Sequence, residues 1–198
     1  MSTGQLIAFC LPDVVTFLNN TFFILLCTAV PERKTLSGAD DISHTALMVN
    51  LLNVFSLTSS ITLSVISGRV RSIFWLMVSG NLCFYLGATL MYTSTMTGAS
   101  FPGSFEIGTV FAGWGDASIV NLCIAYKFEL HRRWGIQSTD LGAMSAMIYS
   151  FVMSISTAIG SAVSGATVPT SAEQGTLIVT VASWVLTTVC LVIPRLVK

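Results

Sequence analysis

Residues 72–105 read SIFWLMVSGNLCFYLGATLMYTSTMTGASFPGSF and contain no Asp, Glu, Lys or Arg. Crossing the hydrocarbon core of a bilayer takes about 20 residues of helix, and charge inside that core is costly. Three further stretches are free of charge at similar length: 45–68, 141–172 and 174–194. None alternates apolar and polar residues with the period of two that a barrel strand shows, so each must close its backbone hydrogen bonds as helix. Of the 198 residues, 53% are hydrophobic and 9% charged, whereas soluble domains carry about 25% charged residues. The pattern predicts an all-α polytopic membrane protein, a single domain over 1–198 with six transmembrane helices at 5–30, 43–67, 70–93, 105–126, 139–166 and 175–194. Pro31, Pro102, Pro169 and Pro194 mark helix ends, as a residue without a backbone N–H should.

Lys and Arg gather on one side of this arrangement. Arg69 and Arg71 follow the second span, Lys127, Arg132 and Arg133 the fourth, and Arg195 and Lys198 the sixth. The other side has Arg33 and Lys34 in a polar loop, 31–41, together with Glu32, Asp40 and Asp41. Short loops rich in Lys and Arg stay in the cytoplasm. Both termini are therefore expected there, in a vesicle or plasma membrane, and an even number of spans requires them to share a side. Pro12 and Asp13 interrupt the first apolar run, which does not read as a cleaved signal peptide. The connection from Gly68 to Arg71 is so short that the second and third spans must form a tight hairpin.

Several function classes are disfavoured. Net charge is zero, so no basic footprint for nucleic acid exists. Cys10, Cys27, Cys83, Cys123 and Cys190 lie in apolar segments with no metal-ligand spacing and read as free thiols packed as small hydrophobes. His44 and His131 flank loops. Without a nucleophile and its base, a metal set or a phosphate loop, the chain does not read as an enzyme, and no metal or cofactor is expected.

Asp116 is the principal candidate. It sits in an otherwise apolar or small stretch, 105–126, where an ionisable side chain faces a protein interior or a water-filled cavity. Helical spacing places Gly108, Ala112 and Asp116 on one face. Among small residues a carboxyl group can exchange a proton or pair with a cationic ligand; the structural alternative is an acid hydrogen-bonded to a helix neighbour. Asp13, Thr16 and Asn20 share a face of the first span, where Asp13 is a further proton or substrate candidate or merely an interfacial acid. Tyr149 and Ser150 lie in the middle of the fifth span and could line a cavity. Ser56, Ser60, Ser64 and Gly68 form one small-residue stripe. Ser154, Ala158 and Ala162, and Ser156, Gly160 and Ser164, form two more. Such stripes let membrane helices pack closely, whether as a static seam or a sliding one. Glu106 opens the fourth span and Asp140 the fifth, where an acid favours the positive end of the helix dipole and Ser138 or Thr139 can cap.

Phe111-Ala112-Gly113-Trp114-Gly115-Asp116-Ala117-Ser118, the charged loop ending in Trp134-Gly135, and Ala158-Ile159-Gly160-Ser161-Ala162-Val163-Ser164-Gly165-Ala166 resemble the vesicular amine transporters. These form part of the drug:proton antiporter branch of the major facilitator superfamily, and the likeness is to their C-terminal six-helix half. It covers the chain as six helices and is specific over 111–166. The resemblance implies proton-coupled antiport of a small cationic or amine-like solute by alternating access, with Asp116 as the acid of the fourth span. The family's second acid falls at Ser150 here, the 68–71 connection lacks the superfamily's aspartate, and no proline follows Gly160. Complete transporters of this kind have their site between two halves, and no internal repeat doubles this chain. The expected partners are the lipid bilayer, protons, a small cationic solute, and either a second six-helix half or a second copy in a homodimer. The alternative is a structural or regulatory half-length pseudo-transporter that pairs with another transporter unit.

Overall fold

The computed structural model describes residues 2–36, 42–70, 72–95, 102–136, 141–167 and 173–197. Asp40, Asp41, Arg71, Ser138, Thr139, Asp140, Pro169, Lys198 and the side chain of Ser164, all used in the expectations above, lie outside the described residues. The elements are α1 (Thr3–Cys27), α2 (Ala29–Leu36), α3 (Ile42–Ser67), α4 (Ile73–Thr93), α5 (Ser104–Arg133), α6 (Leu141–Thr167) and α7 (Glu173–Leu196). With α2 continuing α1, six helices are long and apolar enough to cross a membrane. The chain is an all-α, multi-pass membrane bundle, as its charge-free runs predict.

Three boundaries differ from expectation, each for a physical reason. The loop predicted from Pro31 onward begins instead as the short helix α2, which takes Pro31 in its first turn, where a missing N–H does no harm. Likewise α7 continues past Pro194 to Leu196. The largest difference is α5, expected to stop at 126 and in fact running to Arg133. Its charged last turns find partners on neighbouring helices, and His131, Arg132 and Arg133 favour the negative end of the helix dipole. The helix stops at Gly135, whose φ of 67° is a left-handed conformation that favours glycine. There the Gly135 N–H donates to the Arg132 carbonyl at 3.3 Å and the Ile136 N–H to the His131 carbonyl at 3.2 Å, the paired bonds of a Schellman ending.

Glycines bring α4 and α5 together. A methyl group on Gly115 would lie 2.3 Å from the Phe84 nitrogen, and one on Gly87 would lie 2.3 Å from the Ala112 nitrogen. Backbone therefore meets backbone along this seam, the close approach that small residues permit in membranes. The other main packings are α3 on α5, α6 on α1, α7 on α1, α1 on α5 and α4 on α7. Exchanging α1 with α5, α3 with α6 and α4 with α7 maps this set of contacts onto itself. Successive spans alternate in direction, so this set of main contacts has the symmetry that an inverted three-plus-three arrangement would give.

The apolar core has two parts. One contains Phe22, Leu26, Leu52, Phe84, Met91 and Phe105. The other contains Val15, Leu63, Met77, Leu122, Tyr126 and Leu191. Between them, at mid-depth, each of five helices contributes buried polar side chains: Asn19 and Asn20 of α1, Ser59 of α3, Asn81 of α4, Asp116 and Ser118 of α5, and Thr187 of α7. Both termini come to one end of the bundle, where Trp134 Nε1 donates to the Val197 carbonyl at 3.0 Å and the Phe9 and His131 rings lie 5.4 Å apart.

The glycine seam yields a stability prediction. Gly115→Ala forces two backbones apart and should lower stability by about 1–3 kcal/mol. Gly142→Ala, whose new methyl would meet only the Phe128 ring edge at 3.7 Å, should be near neutral. Thermal unfolding of both variants in detergent, followed by circular dichroism, checks the contrast.

Candidate functional site

Asp116 lies in the mid-depth polar belt with 6% of its surface exposed. Ser56 Oγ of α3 donates to its Oδ2 at 2.7 Å, while Oδ1 has no hydrogen-bond partner among the described residues. Gly113 makes this approach possible, because a methyl there would stand 2.9 Å from the Leu52 carbonyl oxygen. One stripe read from the sequence is therefore seated: Ser56 meets Asp116, and Ser60 accepts from Asn121 Nδ2 at 2.8 Å. The expected common face of Gly108, Ala112 and Asp116 is not a single open one. A step of four residues rotates about 40° around a helix. Gly108 is sealed against Gly87 and Met91 of α4, while Asp116 turns to α3.

The same exchange of spans relates this contact to another. Asn20 of α1 donates from Nδ2 to Ser156 Oγ at 2.7 Å and to Thr157 Oγ1 at 3.1 Å, both on α6. Gly160 permits that contact, since a methyl on it would lie 3.2 Å from the Thr21 carbonyl oxygen. Thus α5–α3 is joined through a carboxylate and α1–α6 through an amide. Asn81 Nδ2 adds a bond to Thr188 Oγ1 at 3.1 Å between α4 and α7. Both amide atoms of the fully buried Asn19 lack a hydrogen-bond partner among the described residues.

Asp13 is neither interfacial nor exposed. It is 4% exposed, and Lys127 Nζ, itself fully buried, donates to its Oδ2 at 2.5 Å. The Lys127 ammonium also sits 4.8 Å from the centre of the Phe9 ring, and Cys123 Sγ lies 4.0 Å from Asp13 Oδ1. Lys127 was counted above among the loop cations; in the structure it is an interior residue of α5, so one of the charges used for orientation is neutralised within the bundle. Thr16, expected beside Asp13 and Asn20, turns its hydroxyl to the Pro12 carbonyl at 3.1 Å. Tyr149 is half-buried and within electrostatic reach of both Asp116 and Cys123. Ser150 is exposed on the outer face of α6 and is not brought to the belt.

The structure adds Lys127, Asn19 and Asn81 to the candidates. Asn81 carried a legible signal, an amide in the middle of a charge-free span. Lys127 did not, because its distance from the helix end depends on where α5 stops.

At the end holding the termini, Glu129 of α5 accepts from the Ile73 N–H at 2.8 Å and from Ser72 Oγ at 3.1 Å, and so caps α4. Arg195 of α7 donates to Glu129 Oε1 at 2.5 Å and also to Ser72 Oγ. The opposite end has His44 Nε2 3.6 Å from Glu106 Oε1. Among the described residues no cluster of three or more His, Cys, Asp or Glu could hold a metal ion.

Comparison with family models, curated proteins and solved structures found no match.

The buried ion pair is open to direct test. Asp13→Asn strands the Lys127 ammonium in the interior and should cost about 3–5 kcal/mol of stability. Asp13→Leu combined with Lys127→Met removes both charges and should recover most of that loss. Unfolding temperatures of the single and double variants measure the difference.

Proposed function

We propose that the chain is one six-helix half of a membrane transporter, moving a small cationic solute in exchange for protons by alternating access. The observation that carries this reading is Asp116: a carboxylate in the mid-depth belt with one oxygen held by Ser56 and the other without a partner among the described residues. A carboxylate so placed can accept a hydrogen bond from an ammonium ion, or take the proton that displaces it. Intramembrane acids in bundle interiors mark ion and proton pathways. The inverted three-plus-three contact pattern supports the same reading, because transporter halves are built from such repeats and bind near the midplane.

A second six-helix unit, another half or a second copy, is the proposed partner. The spans α3 and α6 are the least covered of the six; the exposed Asn53, Thr58, Ser64 and Ser154 on them each donate to the carbonyl four residues back. Their lightly covered faces are where such a unit would pack. The end with Arg69, Arg132, Arg133 and Arg195 is assigned to the cytoplasm by the same excess of basic residues that orients other polytopic proteins.

Uptake of labelled phenethylammonium into sealed proteoliposomes with an acidic lumen tests the reading. Accumulation should collapse when an ionophore dissipates the gradient, and Asp116→Asn should reduce it by at least about tenfold, the equivalent of about 1.4 kcal/mol of lost interaction. Uptake by Asp116→Asn equal to that of the parent chain, in vesicles holding the same amount of folded protein, would remove Asp116 from the proposed role.

A further inference from the structure

Where α4 and α7 meet, a groove of about 200 Å³ opens on the outer face of the bundle. Leu82 and Leu86 of α4 line one wall, and Val181 and Trp184 of α7 the other; all four remain exposed. On α4 the same face continues toward the end holding the termini and reaches Trp75, seven residues before Leu82 and 67% exposed. An exposed indole near a span's end suits the membrane–water interface. From Trp75, Leu82 and Leu86 lie about 10 and 16 Å along the helix. One leaflet's hydrocarbon is about 15 Å deep, so the groove falls within reach of an acyl chain whose headgroup sits at the level of Trp75.

A second and independent observation is the charge at that end. Arg69, Arg132 and Arg133 are exposed, and their guanidinium groups make no hydrogen bond or ion pair among the described residues. Arg195, by contrast, is committed to Glu129 and Ser72. Glu129 fixes where the other arginines lie. It accepts from the Ile73 N–H at 2.8 Å; Arg133 follows it by one turn of α5, and Arg69 precedes Ile73 by four residues. Arg133 is also within electrostatic reach of Tyr126, whose hydroxyl donates to the Leu191 carbonyl of α7. Arg69 and Arg133 therefore gather around the start of α4, at the end of the Trp75 face.

We infer that the α4–α7 face binds one anionic phospholipid, with its phosphate on Arg69 and Arg133 and one acyl chain in the groove. Guanidinium groups hold phosphate oxygens through paired, charge-assisted hydrogen bonds. Arg132 beside them adds to the positive field, and basic clusters next to a span select anionic headgroups. Trp75 packs against the glycerol region, and Leu82, Leu86 and Val181 against the chain. A zwitterionic lipid has the same tails but carries a cation on its headgroup, which the arginines repel, so headgroup charge is the first element of selectivity. The site needs only a bilayer around the six spans and is separate from Asp116.

Native mass spectrometry of the full chain in detergent, titrated with phosphatidylglycerol, tests this. Phosphatidylcholine is the zwitterionic comparison, and inorganic phosphate the headgroup-only competitor. One phosphatidylglycerol should bind saturably, and phosphatidylcholine at least about tenfold more weakly. Arg69→Gln combined with Arg133→Gln should bring phosphatidylglycerol down to the level of phosphatidylcholine. Val181→Trp, which fills the groove, should weaken both lipids by about tenfold, and Leu86→Trp on the opposite wall provides a second filling variant where the first elutes as aggregate. Inorganic phosphate should not compete. Equal binding of the two lipids to the parent chain overturns the proposal. So does phosphatidylglycerol binding that survives the paired arginine substitution, or that is indifferent to both filling variants. Displacement by inorganic phosphate overturns the lipid as occupant in favour of a free phosphate anion.

Discussion

Lipid offers no hydrogen-bond partner to a polar side chain, and α5 carries a carboxylate and an ammonium well inside its length. Both must be satisfied by protein, and the rest of the bundle is arranged accordingly. The helix α3 brings Ser56 to Asp116, and α1 brings Asp13 to Lys127. Toward α4 the middle of α5 presents glycines, which let the two backbones meet, and Glu129 near the end of α5 caps α4. The result is that α5 is the most deeply buried span and α1 its nearest rival. The outer spans α3 and α6 are the most lightly covered.

The two apolar clusters have complementary roles. They hold the ends of the spans in register and leave a mid-depth layer where side chains are joined by hydrogen bonds between helices instead of by dispersion contacts. Within that layer the inverted repeat pairs a carboxylate contact on α5–α3 with an amide contact on α1–α6. Among the described residues of that layer Asp116 is the acid, and Asn20 stands in the corresponding place as a neutral amide.

The membrane class and all six spans were legible in the sequence because they depend on runs without charge, a local property. Asp116 was legible for the same reason, as the exception within such a run. What was not legible depended on partners distant in sequence. The last turns of α5 read as loop because five of their residues are ionisable or basic; only the contacts of Lys127 with Asp13 and of Glu129 with Arg195 make them helix. Asp13 read as interfacial because nothing near it in the chain announces a cation more than a hundred residues away. The repeat was invisible in residue identities because helix packing constrains size and polarity at contact points and leaves most other positions open. Ser150 was named with Tyr149 for its place in the middle of the fifth span, and it lies on an exposed face.

The cluster of Arg195, Glu129, Ser72 and the Ile73 amide ties three helices at a single end, and the Trp134–Val197 bond secures the chain's last turn beside them. Three rods fixed at one end behave as levers. A 30-residue helix is about 45 Å long, so each degree of tilt about the tied end moves the far tip by about 0.8 Å. Side chains near the tie, Lys127 among them, barely move, whereas those around Glu106 sweep the full arc. A small rotation about the tied end would thus leave the buried ion pair in place and displace the Glu106 end several times as far, giving these three helices a stiff end and a responsive one.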